Sequence, residues 1–151
     1  MLLVLLLQVS DGLKPMEFLI GEWEAGANAV KSGGYGTVTC RPALGGAYLE
    51  LHEVWKLGEL VMEESWSLIT WDGGREHIVM TRFDRDGTVR FFVASPLGDD
   101  RWQWNEPLRD AGRRQLLLKK GSGAFFELTV RRENEAGDFE SDVTTALAKK
   151  K

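Results

Sequence analysis

The chain has 151 residues, of which 43% are hydrophobic and 28% are charged, proportions that are ordinary for a soluble globular protein. This length favours a single domain, taken here as 1–151, that can bury a hydrophobic core. The formal net charge of −4 disfavours nucleic acid as a partner, because surfaces that bind nucleic acid are basic.

Residues 1–7, MLLVLLL, form an apolar run that resembles a targeting segment at first sight. The run lacks a basic start and an A-x-A-like cleavage site, and it is far too short to span a bilayer. We therefore expect a strand or helix that packs against the domain, no membrane partner and a cytoplasmic location. A short helix is expected next, over 13–20, with Pro15 in its first turn.

From residue 23 onward, short alternating segments are separated by turn signals such as KSGG, WDGG and KKGSG. They predict strands at 22–30, 35–42, 46–57, 60–71, 75–83, 88–95, 100–106, 113–120, 124–132 and 137–146. So many strands are too many for a flat open sheet. We expect an all-β fold: an antiparallel, up-and-down, closed barrel of about 8–10 strands with a short N-terminal helical segment.

The first long hairpin places two glutamates on what is otherwise an apolar face. Pairing across a two-residue turn at 58–59 puts Glu53 opposite Glu64, with Trp55 and Trp66 on the same face. Because this face is the more apolar one, it is expected to point inward. The two carboxylates would then be cross-strand neighbours, with Cβ atoms about 4.5–5.5 Å apart.

The next hairpin, around FDRDGT, adds a basic residue to the same interior. Pairing Phe83 with Thr88 places Met80 opposite Phe91. Arg82 shares the face of Met80 and points inward if Met80 does. DRDG is typical of a hairpin turn, since the later ligands of a calcium loop are missing.

Opposed carboxylates on an apolar face require compensation. The glutamates can share a proton, pair with Arg82, whose guanidinium suits a carboxylate, or contact water in a ligand cavity. Alternatively, one glutamate lies at the barrel mouth, or a register slip of one residue moves both out of the interior. Two close carboxylates also resemble a retaining glycosidase site, but a small barrel offers no open cleft for a sugar.

Several other residues have a structural interpretation. Cys40 is the only cysteine, so an internal disulfide is excluded, and a small buried hydrophobe is expected rather than a nucleophile. Trp102 and Trp104 share one strand face, which predicts barrel core, a pocket wall or a partner contact. No His, Cys and carboxylate spacing matches a metal site, and no metal is expected. The interior positions expected on a late strand are Phe126, Leu128 and Val130.

The segment FLIGEWEA resembles the early Gly-x-Trp motif of calycin-like barrels, with Gly21 and Trp23 as the motif residues. GYGTVTCRPALGGAYLELHEVW and FDRDGTVRFF are similar to segments of a bacterial lipocalin-like family of unknown function. The resemblance implies that the tryptophan follows a short helix and plugs one barrel end. It also implies a cavity for a small apolar or amphipathic molecule. Related nitrobindin-like barrels bind haem through a late histidine, but no histidine follows His77, and His52 is expected outside, so no cofactor is expected.

Three functional hypotheses remain open. The first is binding of a small hydrophobic or amphipathic molecule in the cavity. The second is an enzyme that uses the Glu53 and Glu64 pair for acid–base chemistry on such a molecule. The third is a filled barrel that acts by association, through the Trp102 and Trp104 strand or an edge, with a homodimer as one form. For the first hypothesis, the expected ligand-binding residues are Glu53, Glu64, Arg82, Trp55, Trp66, Met80 and Phe91.

Overall fold

A computed structural model of the chain describes residues 8–25, 35–107 and 112–151. Within these ranges a 3-10 helix, Asp11–Leu19, precedes ten strands, and a short 3-10 turn, Leu44–Gly46, joins the second strand to the third. The strands are β1 (Gly21–Ala25), β2 (Tyr35–Ala43), β3 (Tyr48–Leu57), β4 (Leu60–Asp72), β5 (His77–Asp84), β6 (Val89–Gly98), β7 (Arg101–Asn105), β8 (Arg114–Lys120), β9 (Phe125–Glu133) and β10 (Phe139–Lys149).

The strands form one closed antiparallel barrel. Each strand pairs with the next along the chain, and β1 closes the barrel by pairing with β10. This arrangement confirms the predicted all-β, up-and-down closed barrel with a short helical segment at its start. Closure leaves none of these strands with a free edge, so association through an open sheet edge is not supported.

The strand boundaries agree with the sequence pattern to within a few residues. The helix covers Asp11–Leu19 instead of 13–20, and Pro15 lies in its interior rather than in its first turn. The predictions for 1–7 and for the end of the first strand, 26–30, lie outside the described residues.

The helix closes one end of the barrel. Leu13 and Met16 of the helix are fully buried in the core. The indole Nε1 of Trp23 donates a buried hydrogen bond of 2.7 Å to the carbonyl oxygen of Leu19. The ring of Trp23 also meets Phe126 edge to face, with 4.8 Å between centroids. Burial of each such side chain stabilises the fold by about 1.5–3 kcal/mol, so this end is a packed core.

Gly21 allows the tryptophan to reach that position. Its φ of 138° lies in a region that residues with a side chain rarely adopt, so glycine makes the turn from helix to β1 possible. Trp23 follows two residues later, points into the barrel and is 3% exposed. The position expected from the Gly-x-Trp resemblance, after a helix and inside one barrel end, is therefore observed.

The β3–β4 hairpin contains a bulge that the alternation of residues did not predict. Met62 is an extra residue in β4, and every later pair is displaced by one position. Glu53 therefore faces Ser65 instead of Glu64, and the predicted pair of interior glutamates is wrong. A bulge changes which face each later side chain occupies, and here it keeps two like charges from opposing one another inside the barrel.

The turn between β5 and β6 is one residue longer than predicted, and Phe83 pairs with Val89. The additional residue is held by hydrogen bonds within the turn itself. Met80 consequently faces Phe92, which is fully buried, whereas Phe91 lies on the outer face. The predicted interior position of Phe91 is wrong for this reason.

Candidate functional site

The barrel interior is filled near the helix, but a pocket of about 370 Å³ lies in the opposite half. Lys56, Leu57 and Met62 border it, which places its mouth beside the β3–β4 turn. Its apolar wall includes Trp55, Phe92, Leu116, Leu128, Val130 and Val143. Its charged lining includes Glu53, Glu63, Arg82, Arg114, Arg132 and Asp142.

A continuous series of largely buried ion pairs begins at Glu53 and Arg82, which line this pocket, and continues through Asp84 and Arg90 to Glu106. Arg82 donates from Nη1 to Glu53 Oε2 at 3.0 Å and from Nε to Asp84 Oδ1 at 2.7 Å. Arg90 donates from Nε to Asp84 Oδ2 at 3.1 Å and from Nη1 to both carboxylate oxygens of Glu106. Burial alone lowers the pKa of Arg82, but Glu53 and Asp84 together raise it above its ordinary value. The buried guanidinium therefore remains charged.

Two serines explain how the first of these pairs fits. Glu53 on β3 and Arg82 on β5 are separated by β4, where Ser65 and Ser67 occupy the facing inner positions. Because neighbouring strands lie about 4.8 Å apart, the ion pair must pass across β4, and small side chains leave room for it. Both serine hydroxyls are buried and have no hydrogen-bond partner among the described residues.

Arg114 and Arg132 form a different arrangement at the mouth. They are register partners on β8 and β9 and both line the pocket. Among the described residues, Arg114 Nη1 has an ion-pair contact with Asp84 Oδ2 at 3.9 Å, whereas Arg132 Nε donates to Asp142. Burial lowers the pKa of Arg114, and the nearby Arg90 and Arg132 lower it further, against a smaller opposing effect of Asp84. The positive charge of Arg114 is thus poorly compensated.

Three of the expected binding residues line the interior pocket of about 370 Å³, namely Glu53, Arg82 and Trp55. Met80 is buried in the interior but borders a separate, smaller pocket of about 40 Å³ in the apolar half. Glu53 borders both pockets and lies at the boundary between the packed core and the charged half.

The other three expected residues, Glu64, Trp66 and Phe91, lie on the outer face. His52 Nε2 donates to Glu64 Oε1 at 2.9 Å, and the ring of His52 stacks on Trp66 at 4.1 Å between centroids. Trp66 is 44% exposed. The expected position of these residues in the barrel interior is wrong because the bulge at Met62 and the longer β5–β6 turn reverse their faces. Glu64 borders a second pocket, which also contacts Asp84 and Arg114.

The aromatic pair on β7 belongs to the core. Trp102 and Trp104 are both buried, and Phe126 packs in the same interior. Because both side chains are buried, they do not provide the exposed surface that the predicted partner contact requires. As predicted, Leu128 and Val130 face inward, where they line the interior pocket of about 370 Å³.

The thiol of Cys40 is buried, and burial raises its pKa to about 12. At neutral pH it is protonated and therefore a poor nucleophile. His52 lies outside the barrel, and His77 precedes the inward-facing Ile78 and so lies on the outer face of β5.

Four charged residues near the pocket were not predicted from the sequence: Asp84, Arg90, Glu106 and Arg114. Arg132 was missed too, although a usable signal existed for it. Alternation through the predicted interior positions Leu128 and Val130 leads to Arg132 at the next inward position. The same alternation leads from Met80 and Arg82 to Asp84 and from Trp102 and Trp104 to Glu106. The inward position of Arg90 depends instead on the length of the β5–β6 turn, which alternation does not reveal.

The closed antiparallel barrel of ten described strands is consistent with a calycin-like fold. In the described part of the chain, no helix has the length and apolar character needed to cross a membrane. Neither a scan against protein-family models nor a search of curated proteins finds a match to this chain.

Proposed function

We propose that the protein binds a small amphipathic molecule inside the barrel, as a member of the calycin-like proteins that carry such ligands. One observation supports this above the others: the interior is packed with apolar side chains near the helix but leaves a pocket of about 370 Å³ beyond it. Pockets that hold small molecules typically measure about 300–1,000 Å³ and combine apolar walls with a few polar groups. The cytoplasmic location inferred from the sequence stays a prediction.

The placement of charge supports the same function. A barrel whose interior serves only as core is expected to exclude ionised groups, because each must be paired or hydrated at a cost. Here Glu53 and Arg82 are each 8% exposed at the side chain and lie at the base of the pocket. They provide polar contacts next to the apolar surfaces of Trp55 and Phe92.

The two alternative functions have less support. The acid–base hypothesis depended on Glu53 and Glu64 as neighbours, but Glu64 lies outside and contacts His52. The association hypothesis depended on Trp102 and Trp104 or on a free edge, but both side chains are buried in a closed barrel.

Binding can be tested with a neutral fluorescent probe such as 1-N-phenylnaphthylamine, whose emission rises in apolar surroundings. Val130→Trp places a large ring in the pocket and is expected to abolish binding. Thr129→Trp is the matched control, since Thr129 is the adjacent residue on the outer face of β9 and bonds the exposed Thr144 hydroxyl. Equal probe binding by both variants, or none by the unaltered protein, would count against the proposal.

Native mass spectrometry of protein purified gently from its own host provides an independent test. A stoichiometric mass above that of the denatured chain is expected, and it would restrict the chemistry of the ligand. This mass should be lost in Val130→Trp and retained in Thr129→Trp.

A further inference from the structure

The barrel contains two pairs of arginines that face each other across neighbouring strands. One pair is Arg82 and Arg90 on β5 and β6, and the other is Arg114 and Arg132 on β8 and β9. Like charges directly opposite one another are unfavourable, so each pair requires a counter-charge.

In the first pair the counter-charge is a carboxylate of the chain itself. Asp84 accepts from Arg82 Nε through Oδ1 at 2.7 Å and from Arg90 Nε through Oδ2 at 3.1 Å. One planar carboxylate thus bridges two guanidinium groups, with one oxygen to each. Charge-assisted hydrogen bonds of this kind are among the strongest in proteins.

The second pair has no such bridge among the described residues. Arg114 Nη1 is 3.9 Å from the Asp84 oxygen that Arg90 already occupies, and Arg132 Nε contacts Asp142, which does not contact Arg114. Both arginines line the pocket. Burial and the neighbouring arginines also lower the pKa of Arg114, so its charge is unfavourable where it stands.

We infer that the ligand of the pocket carries a carboxylate, which binds between Arg114 and Arg132 as Asp84 lies between Arg82 and Arg90. This inference rests on the proposed function and specifies its ligand class. The inner neighbours of the two arginines on β8 and β9 are Leu116 and Val130, which are register partners and line the pocket. An apolar tail attached to the carboxylate would therefore extend inward along them.

The charge of the pocket favours a monoanion. The whole chain has a formal charge of −4, yet the described residues that line the pocket include four basic and three acidic side chains. A phosphate monoester carries nearly two negative charges at neutral pH. Asp142 beside Arg132 disfavours the second of these charges, whereas a carboxylate carries one and matches the planar guanidinium.

The test uses 1-N-phenylnaphthylamine bound to the intact protein and measures its displacement by decanoate, decan-1-ol and decyl phosphate. Decanoate is expected to bind at least about tenfold more tightly than decanol, the magnitude of a charge-assisted hydrogen bond. This preference should decrease as salt is added, because the mouth is open to solvent and charges there are screened.

Two variants and one control test whether Arg114 and Arg132 bind the carboxylate. Arg114→Gln and Arg132→Gln should each reduce the affinity for decanoate by about tenfold and leave decanol unaffected. Arg75→Gln removes the same charge from an exposed turn at the opposite barrel end and should change neither affinity. Thermal unfolding of each variant checks that the fold is retained. If a variant does not fold, the affinities of the unaltered protein for decanoate and decanol still test the carboxylate inference.

Each contrary outcome has a distinct meaning. If the probe binds but decanoate and decanol displace it equally, the carboxylate inference is overturned and the proposed function is not. Tighter binding of decyl phosphate than of decanoate, or a preference that survives Arg114→Gln, would also overturn it. If neither the probe nor any decyl compound binds, the proposed function itself fails.

Discussion

Replacement of the two partners of the buried Glu53 and Arg82 ion pair is expected to have unequal effects on stability. Arg82→Leu leaves Glu53 buried without a cation, because Arg82 is its ion-pair partner among the described residues. Breaking a buried pair in this way costs about 3–5 kcal/mol. Glu53→Leu leaves Arg82 bonded to Asp84 at 2.7 Å, so the loss is that of one charged hydrogen bond, about 1.5–3 kcal/mol.

The double variant Glu53→Leu with Arg82→Leu separates this explanation from simple loss of packing. Removal of both partners eliminates the unpaired carboxylate, so the double variant should be more stable than Arg82→Leu alone. The free energy of unfolding is measured by urea denaturation followed by circular dichroism, and the denaturant dependence should be unchanged. Equal costs for the two single variants, or strictly additive costs, would refute the asymmetric network of ion pairs.

Three further predictions concern other parts of the barrel. Cys40 should react with a thiol reagent only as fast as the protein unfolds. Because burial raises the pKa of its thiol to about 12, the stability that Cys40 contributes is present below the ordinary thiol pKa of about 9 and is lost as the pH rises towards 12. The variant Cys40→Ala should not show this loss of stability. Deletion of Met62 removes the bulge without changing later pairs and should cost less than about 1 kcal/mol by urea denaturation, whereas deletion of the exposed Leu68 should severely destabilise the barrel by reversing faces. Gly36→Val should shift Trp55 fluorescence and weaken probe binding, since a Cβ at Gly36 would lie 2.2 Å from the Trp55 ring; a spectrum and affinity equal to those of the unaltered protein would contradict this.

Local signals in the sequence were sufficient for the architecture. Turn residues and two-residue alternation predicted the ten strands, and the predicted turn at Gly58 is present with a φ of 58°. These strands and turns depend on neighbouring residues along the chain, so one sequence contains enough information to infer them. That Trp23 fills the closed end was instead implied by the resemblance of FLIGEWEA to calycin-like barrels.

Which side chains line the pocket depended on the tertiary structure instead. Alternation favoured Trp66 as an interior residue, yet Ser65 and Ser67 lie inside, where their small side chains leave room for the ion pair between Glu53 and Arg82. A single extra residue at Met62 makes this possible, and no local pattern distinguishes a bulged strand from a regular one.

The sequence by itself therefore determined that this protein is a closed antiparallel barrel, and it left open whether Glu53 and Arg82 lie inside. Only the tertiary structure decided that Glu64 lies outside and that Arg114 and Arg132 meet at the mouth. The physical reason is that strand formation is governed by local propensity and turns, whereas the face that each side chain occupies depends on register. Register is set by turn lengths, bulges and the pairing of charges between strands that are distant in the chain.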